Sequence, residues 1–428
     1  MAKISAIVAR EILNSRGYPT IETTIWANDN QIGVVASIPS GASTGKHEAV
    51  ELRDQDPDRF DGKGVTKAVD NVNQVISKYI IGRDPTKQNE IDQLLLNLDG
   101  TNNKSRLGAN TILSISQAIC ELGAKVSSLS TYAYLSAKYN LHQPTAQNLP
   151  TPFFNVINGG KHGASNLDFQ EFHLVPSSRF DFKTSLQIGG EIYHQIRHVL
   201  QEKKANLGLG DEGGYTPNLH SNKDALEILI QAVSATPYQL GKDIFFGLDL
   251  AASVFYQNGE YRIRDRKEPY SSHDFINFLI DLKKKYHLFA LEDPLEEDSW
   301  DEWANLTGQM GQDTLIIGDD LLVTNRIRLE EAIKKKACNT VLIKPNQIGT
   351  ISETVSFIKL AKENKMASVV SHRSGDTNEN FLADFAVGIG ADFVKFGAPS
   401  RGERVIKYNR LSLIQDHLTQ PKSTPKNE

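Results

Sequence analysis

Six short apolar runs in the second half of the chain each close on a side chain able to bind a metal ion or move a proton. IFFGLDL reaches Asp249, LFALEDP Glu292, LIIGDD Asp319, TVLIKP Lys344, SVVSHR His372 and FVKFGAP Lys395. Successive differences between those positions are 43, 27, 25, 28 and 23, about the length of one strand, one helix and their loops. Helical patterns lie between the runs, over Ser271 to Lys285, from a cap at Thr324 or Asn325 to Lys336, and over Ser352 to Asn364. Strands alternating with helices imply parallel strands, and this many favour a closed β/α barrel over an open sheet. Such a barrel aims three carboxylates, two lysines and a histidine at one rim.

The first 142 residues read differently. KISAIVAREI, TIETTIWAND and QIGVVASIP alternate in the manner of three antiparallel strands, and from Val65 to about Lys138 the apolar period becomes helical. A sheet followed by a helical layer is an α+β domain, assigned to 1–142. The proline-rich QPTAQNLPTP marks the junction, and the barrel is assigned to 143–418, opening with strands in FFNVI and FQEFHLVP and a helix around Ser185 to Lys203. The polar segment 419–428 is expected to be a disordered tail.

Composition excludes several function classes. The 47 basic and 52 acidic residues are interleaved, with a net charge of −5, so no basic stripe awaits nucleic acid. Cys120 and Cys338 stand far apart and read as small apolar fillers, not as a disulfide or a thiolate metal site. No run approaches the length of a membrane span, and the N-terminal segment lacks the apolar core of a signal peptide, so a cytoplasmic location is expected.

Asp249, Glu292 and Asp319 would supply hard oxygen ligands from three consecutive strand ends, which suits a cation such as Mg²⁺. A single carboxylate there more often caps the next helix, but three crowded together repel one another unless neutralised. Lys344 follows one repeat later. Beside a dication and a second ammonium, Lys395, its pKa is expected to fall toward that of a general base. His372, Arg373 and Ser374 offer donors to an anion, although HRS alone would read as an exposed polar turn. GLGDEGGYTP adds Glu212 on a turn, and NLDFQEFHLVP adds Gln170 and Glu171. PSGASTGKHEA, Pro39 to Ala49, reads as a mobile flap whose Ser43 reaches a metal or phosphate; it lacks the spacing of a nucleotide P-loop.

Taken together, these motifs resemble the enolases. The resemblance runs from REILNSRGYPT through SGASTG, LDGTNNKSRLGAN, NVINGGKH, QEF, GDEGG, LDLAAS, EDP, DDLLVTN, LIKPNQIGT, SHRSGDT and KFGAP to KYNRL, nearly the whole chain. It implies the enolase variety of (β/α)8-type barrel behind the N-terminal α+β domain, and the glycolytic interconversion of 2-phosphoglycerate with phosphoenolpyruvate and water. It further implies two Mg²⁺ ions, the first held by Asp249, Glu292 and Asp319 and the second by Ser43. Lys344 would be the base and Glu212 the acid. Lys395 would hold the substrate carboxylate and Arg373 and Ser374 the phosphate, with His162, Gln170, Glu171 and His372 lining the pocket. A homodimer or an octamer is implied, together with the surface or secreted fraction seen in related proteins.

Four positions depart from the family pattern: Asp376 where Glu is usual, Asn102 for Glu, Leu250 after the first ligand, and Gly402 in place of serine. None is a proposed ligand or acid/base group. Two other functions share these features. A relative acting on an unphosphorylated carboxylate has no use for Arg373 and Ser374, and a non-catalytic scaffold has no need to keep Lys344 and Glu212 together.

Overall fold

A computed structural model of the protein describes residues 2–41, 45–163 and 167–420. Strands β1 (Ile4–Leu13), β2 (Pro19–Ala27) and β3 (Ile32–Ser37) form the expected antiparallel sheet. Along β2 the residues Ile21, Thr23, Ile25 and Ala27 are buried, the period of two that one covered face requires. The helix Ala109–Val126 covers that face, and Thr23 donates its hydroxyl to Ser114 Oγ at 2.8 Å. The same helix touches Pro345–Ile348 and Ile351–Glu363 of the second domain, so it is buried on nearly all sides. One stretch departs from regular helix: Asn71–Ile76 is π-helical, and Asn73 there bonds both backbone groups of Ala9.

The second domain is a closed eight-stranded barrel. Its strands are β4 (Thr151–Asn158), β5 (Glu171–Pro176), β6 (Ile244–Asp249), β10 (Leu288–Glu292), β11 (Leu315–Gly318), β12 (Thr340–Ile343), β13 (Ala367–Ser371) and β14 (Phe393–Lys395). The short strands β7 (Tyr256–Gln257), β8 (Glu260–Tyr261) and β9 (Tyr270–Ser271) form a separate sheet inside the longest repeat, which accounts for its extra length. The helices Ser272–Tyr286, Arg326–Lys335 and Ile351–Glu363 lie where the sequence places them. Asn325, not Thr324, caps the second, because its side chain accepts from the Ile327 amide.

One strand breaks the parallel expectation. β5 pairs antiparallel with both β4 and β6. The glycine-bearing link Gly159 to Gln170 is twelve residues long and among its described residues holds a single 3₁₀ turn, too little for the crossover a parallel strand needs. The reversal has a functional consequence: it brings the first residue of β5, Glu171, to the rim where its neighbours end.

Inside the barrel, Phe153, Val175, Ala290, Ile317, Leu342 and Val369 form an apolar plug. Strand periodicity then fixes the next inward position two residues on, so Ala290 is followed by Glu292, Ile317 by Asp319 and Leu342 by Lys344. An apolar floor thus lies directly beneath a charged rim. The last helix runs from Gly402 to Thr419, one residue into the segment expected to be disordered, and 421–428 lie outside the described residues.

Candidate active site

Backbone register places three carboxylates side by side. Asp249 on β6 pairs with Glu171 on β5 and with Glu292 on β10. Lys395, the last residue of β14, reaches all three: its Nζ lies 3.1 Å from Glu171, 3.3 Å from Asp249 and 2.7 Å from Glu292. All four are buried. Burial alone would discharge the Lys395 ammonium, but the three carboxylates outweigh it and hold its pKa well above the ordinary lysine value. Burial likewise raises Asp249 and, more strongly, Glu292, with carboxylate repulsion adding to the rise; Glu171 is pulled well below the ordinary range by Lys395, His162 and His173 against its own burial.

Asp319 has different hydrogen-bond partners. It pairs with Lys344 through Oδ2 and accepts from Gln347 Nε2 at 2.8 Å through Oδ1. The turn after Asp319 forces Val323 and Thr324 into left-handed backbone (φ 43° and 54°), which β-branched residues rarely adopt. That turn sets Thr324 Oγ1 to accept from the Lys344 amide at 2.9 Å and to donate to Gln347 at 2.8 Å. The expected fall in the Lys344 pKa presumes a dication beside it; the protein's own groups together act in the other direction. Burial does pull it down, as Arg373 and Lys395 do, but Asp319 and Glu292 prevail, and among the protein's own groups its pKa is raised.

Glu212 is buried between two histidines and an asparagine. Asn155 Nδ2 donates to Oε2 at 2.9 Å, His372 Nε2 lies 3.1 Å from Oε2, and His162 Nδ1 lies 3.5 Å from Oε1. His162 Nδ1 is also 3.0 Å from Glu171, and the two carboxylates raise its pKa despite burial. Burial and Glu171 favour a proton on Glu212, but His372 and His162 outweigh them and bring its pKa below the ordinary carboxylate value.

Arg373 makes a two-pronged contact with Glu48, at 3.0 and 3.1 Å, and reaches Asn346 Oδ1 at 3.2 Å. Glu48 also accepts from the Gly45 amide at 3.1 Å. His162, Gln170, Glu171, Glu212, Asp249, Lys344, His372, Arg373, Ser374 and Lys395 line one small cavity. Gln170 donates to Asp249 Oδ2 at 3.2 Å. Ser43 lies outside the described residues.

Residues beyond the sequence-derived set also shape the site. Glu48 lies five residues after Ser43 in the same motif, and Asp293 and Asp320 each directly follow an expected ligand. Asp293, Asp319 and Asp320 bring ligand atoms within 4.8 Å of one another, as do His162, Glu171 and Glu212. Asn155 and Arg404 carry no such signal, because each acts through partners remote in sequence, whereas His173 meets Glu171 two residues before it.

The donor chemistry fits a divalent cation. Glu171, Glu212, Asp249, Glu292 and Asp319 crowd around Lys344, Lys395 and Arg373, leaving carboxylates in excess and two of them, Asp249 and Glu292, unfavourably charged. Among the described residues no helix is long and apolar enough to cross a membrane. Two family models match the chain: "Enolase, N-terminal domain" over residues 4–135, and "Enolase, C-terminal TIM barrel domain" over residues 146–424.

Proposed function

The chain belongs to the enolase family, which makes it a lyase of that family, and from that premise we propose that it interconverts 2-phosphoglycerate and phosphoenolpyruvate plus water. One observation carries the proposal: Lys344, Glu212, Lys395, Arg373 and Ser374 line the same buried cavity. That combination offers a base, an acid, a carboxylate partner and phosphate donors within the reach of one small substrate.

Arg373 and Ser374 bind the phosphate, with Arg373 exchanging Glu48 for the incoming anion. Lys395 holds the substrate carboxylate. Lys344 removes the proton from C2 once Asp319 no longer holds its ammonium, since Arg373 and Lys395 then favour the neutral amine. The C2–H electron pair passes first into the substrate carboxylate to give an enolate, then returns to form the C2–C3 double bond as the C3–O bond breaks, and the hydroxide leaves as water with a proton from Glu212. Burial and Glu171 favour that proton on Glu212 against the pull of His372 and His162, and the charge of the substrate adds to them.

Asp249, Glu292 and Asp319 would hold one Mg²⁺, and Ser43 a second. The ions supply positive charge where the substrate carboxylate gains negative charge, which is strongest in a site shielded from water. The protein is assigned to the cytoplasm as a homodimer or octamer; a monomer by light scattering at working concentration would overturn that assembly. The reaction itself is tested by the ultraviolet absorbance of the enol product. Purified protein with 2-phosphoglycerate should produce it with Mg²⁺ and not with chelator, and no absorbance change in either would favour a scaffold.

A further inference from the structure

Arg404 is fully buried outside the cavity lining and reaches both site loops. Its Nη1 donates to His372 Nδ1 at 2.7 Å and to the Arg373 carbonyl at 2.7 Å, and approaches Asp376 at 3.4 Å. Its Nη2 donates to the Ser374 carbonyl at 2.6 Å, the Asp211 carbonyl at 3.0 Å and Ser15 Oγ at 3.4 Å. One planar fork thereby ties the His372–Ser374 loop to the loop of Glu212 and to the N-terminal domain.

The contact with His372 determines where that ring carries its proton. A guanidinium has N–H donors and no acceptor, so His372 Nδ1 must present its lone pair. The remaining nitrogen, Nε2, then bears the hydrogen. It faces Glu212 Oε2 at 3.1 Å, in the cavity that both residues line. Space is reserved for the arrangement at Gly397 (φ 90°), where an added Cβ would lie 2.9 Å from Arg404 Cδ and 3.0 Å from His372 Cε1.

We propose that Arg404 is a positioning residue that fixes His372 as the Nε2–H tautomer and aims that N–H into the cavity beside Glu212. The charged groups facing His372 are Glu212, Arg404 and Asp376, and the second proton that Glu212 and Asp376 would favour has no lone pair to occupy while the Arg404 contact holds. The consequence for catalysis rests on the function proposed above: His372 stays a neutral donor to the departing hydroxyl or to Glu212 throughout turnover.

The test is nitrogen NMR of histidine-labelled native protein, which reads tautomer and protonation without requiring activity. His372 should show a protonated Nε2 and a bare Nδ1 from about pH 5 to 9, where an ordinary imidazole titrates near 6.5. A protonated Nδ1, or titration near the ordinary value, would overturn the proposal even if the protein is an active lyase. The spectrum would stand unchanged if the protein proved inactive on 2-phosphoglycerate, so the two failures are separable. In the active enzyme, Arg404→Lys should lower kcat about 10-fold or more with little change in KM and add a pH-dependent limb near 6.5. A native rate and pH profile in that variant would also overturn it. If Arg404→Lys does not fold, the native spectrum alone decides.

Discussion

Lys395 Nζ lies 2.7 Å from Glu292 Oε1 across the mouth of the barrel, with both side chains buried. Two strands that are not neighbours, β14 and β10, are thereby joined at the rim by a single charge pair. The same ammonium also serves Glu171 and Asp249.

Removal of that ammonium should therefore destabilise the protein more than a surface pair would. Lys395→Ala leaves three buried carboxylates without their shared cation, and breaking a buried pair from one side costs about 3–5 kcal/mol. Chemical denaturation should show that loss in chelator, and added Mg²⁺ should restore more stability to the variant than to the native protein. Equal Mg²⁺ responses would show that no cation competes for this place.

Stability in the absence of metal should fall as the pH rises from about 5 to 8.5. Burial, with help from Asp319, raises Asp320 to about 8, and burial raises Glu379 to about 7. Both groups hold in the fold a proton that the unfolded chain releases near 4. A raised folded pKa contributes stability below the unfolded value, and the contribution is lost as pH rises through the folded value. Asp320→Asn should flatten the upper part of that slope in denaturation curves measured with chelator.

The barrel was legible because its inward-facing positions repeat. Ala290 and Glu292, Ile317 and Asp319, and Leu342 and Lys344 place an apolar plug and a charged rim two residues apart on one face, and the strand pattern preserves that order. The antiparallel β5 was not legible from periodicity, which carries no strand direction; only the shortness of the link from Asn158 to Glu171 hinted at it. Local motifs located Lys344, Glu212 and Arg373, but not the state of Lys344. That state depends on Asp319, a neighbour 25 residues earlier that the fold turns toward it. Arg404 was invisible for the same reason, since its partners come from three separate segments of the chain.

Phosphate recognition should depend on the shape of Arg373 and not only on its charge. Its guanidinium meets Glu48 with two parallel contacts, a geometry that a phosphate can replace and a lysine cannot reproduce. Arg373→Lys should raise KM for 2-phosphoglycerate about 10-fold or more. Steady-state kinetics giving an unchanged KM would place the phosphate elsewhere.

The assignment of Lys344 as base and Glu212 as acid separates in one measurement, the exchange of substrate C2 hydrogen with deuterated solvent alongside product formation. Loss of the acid blocks only the departure of hydroxide, whereas loss of the base blocks both events. With Mg²⁺ present, Lys344→Ala should show neither product nor exchange, and Glu212→Gln should show exchange with little product. Exchange at the native rate in Lys344→Ala would contradict the mechanism.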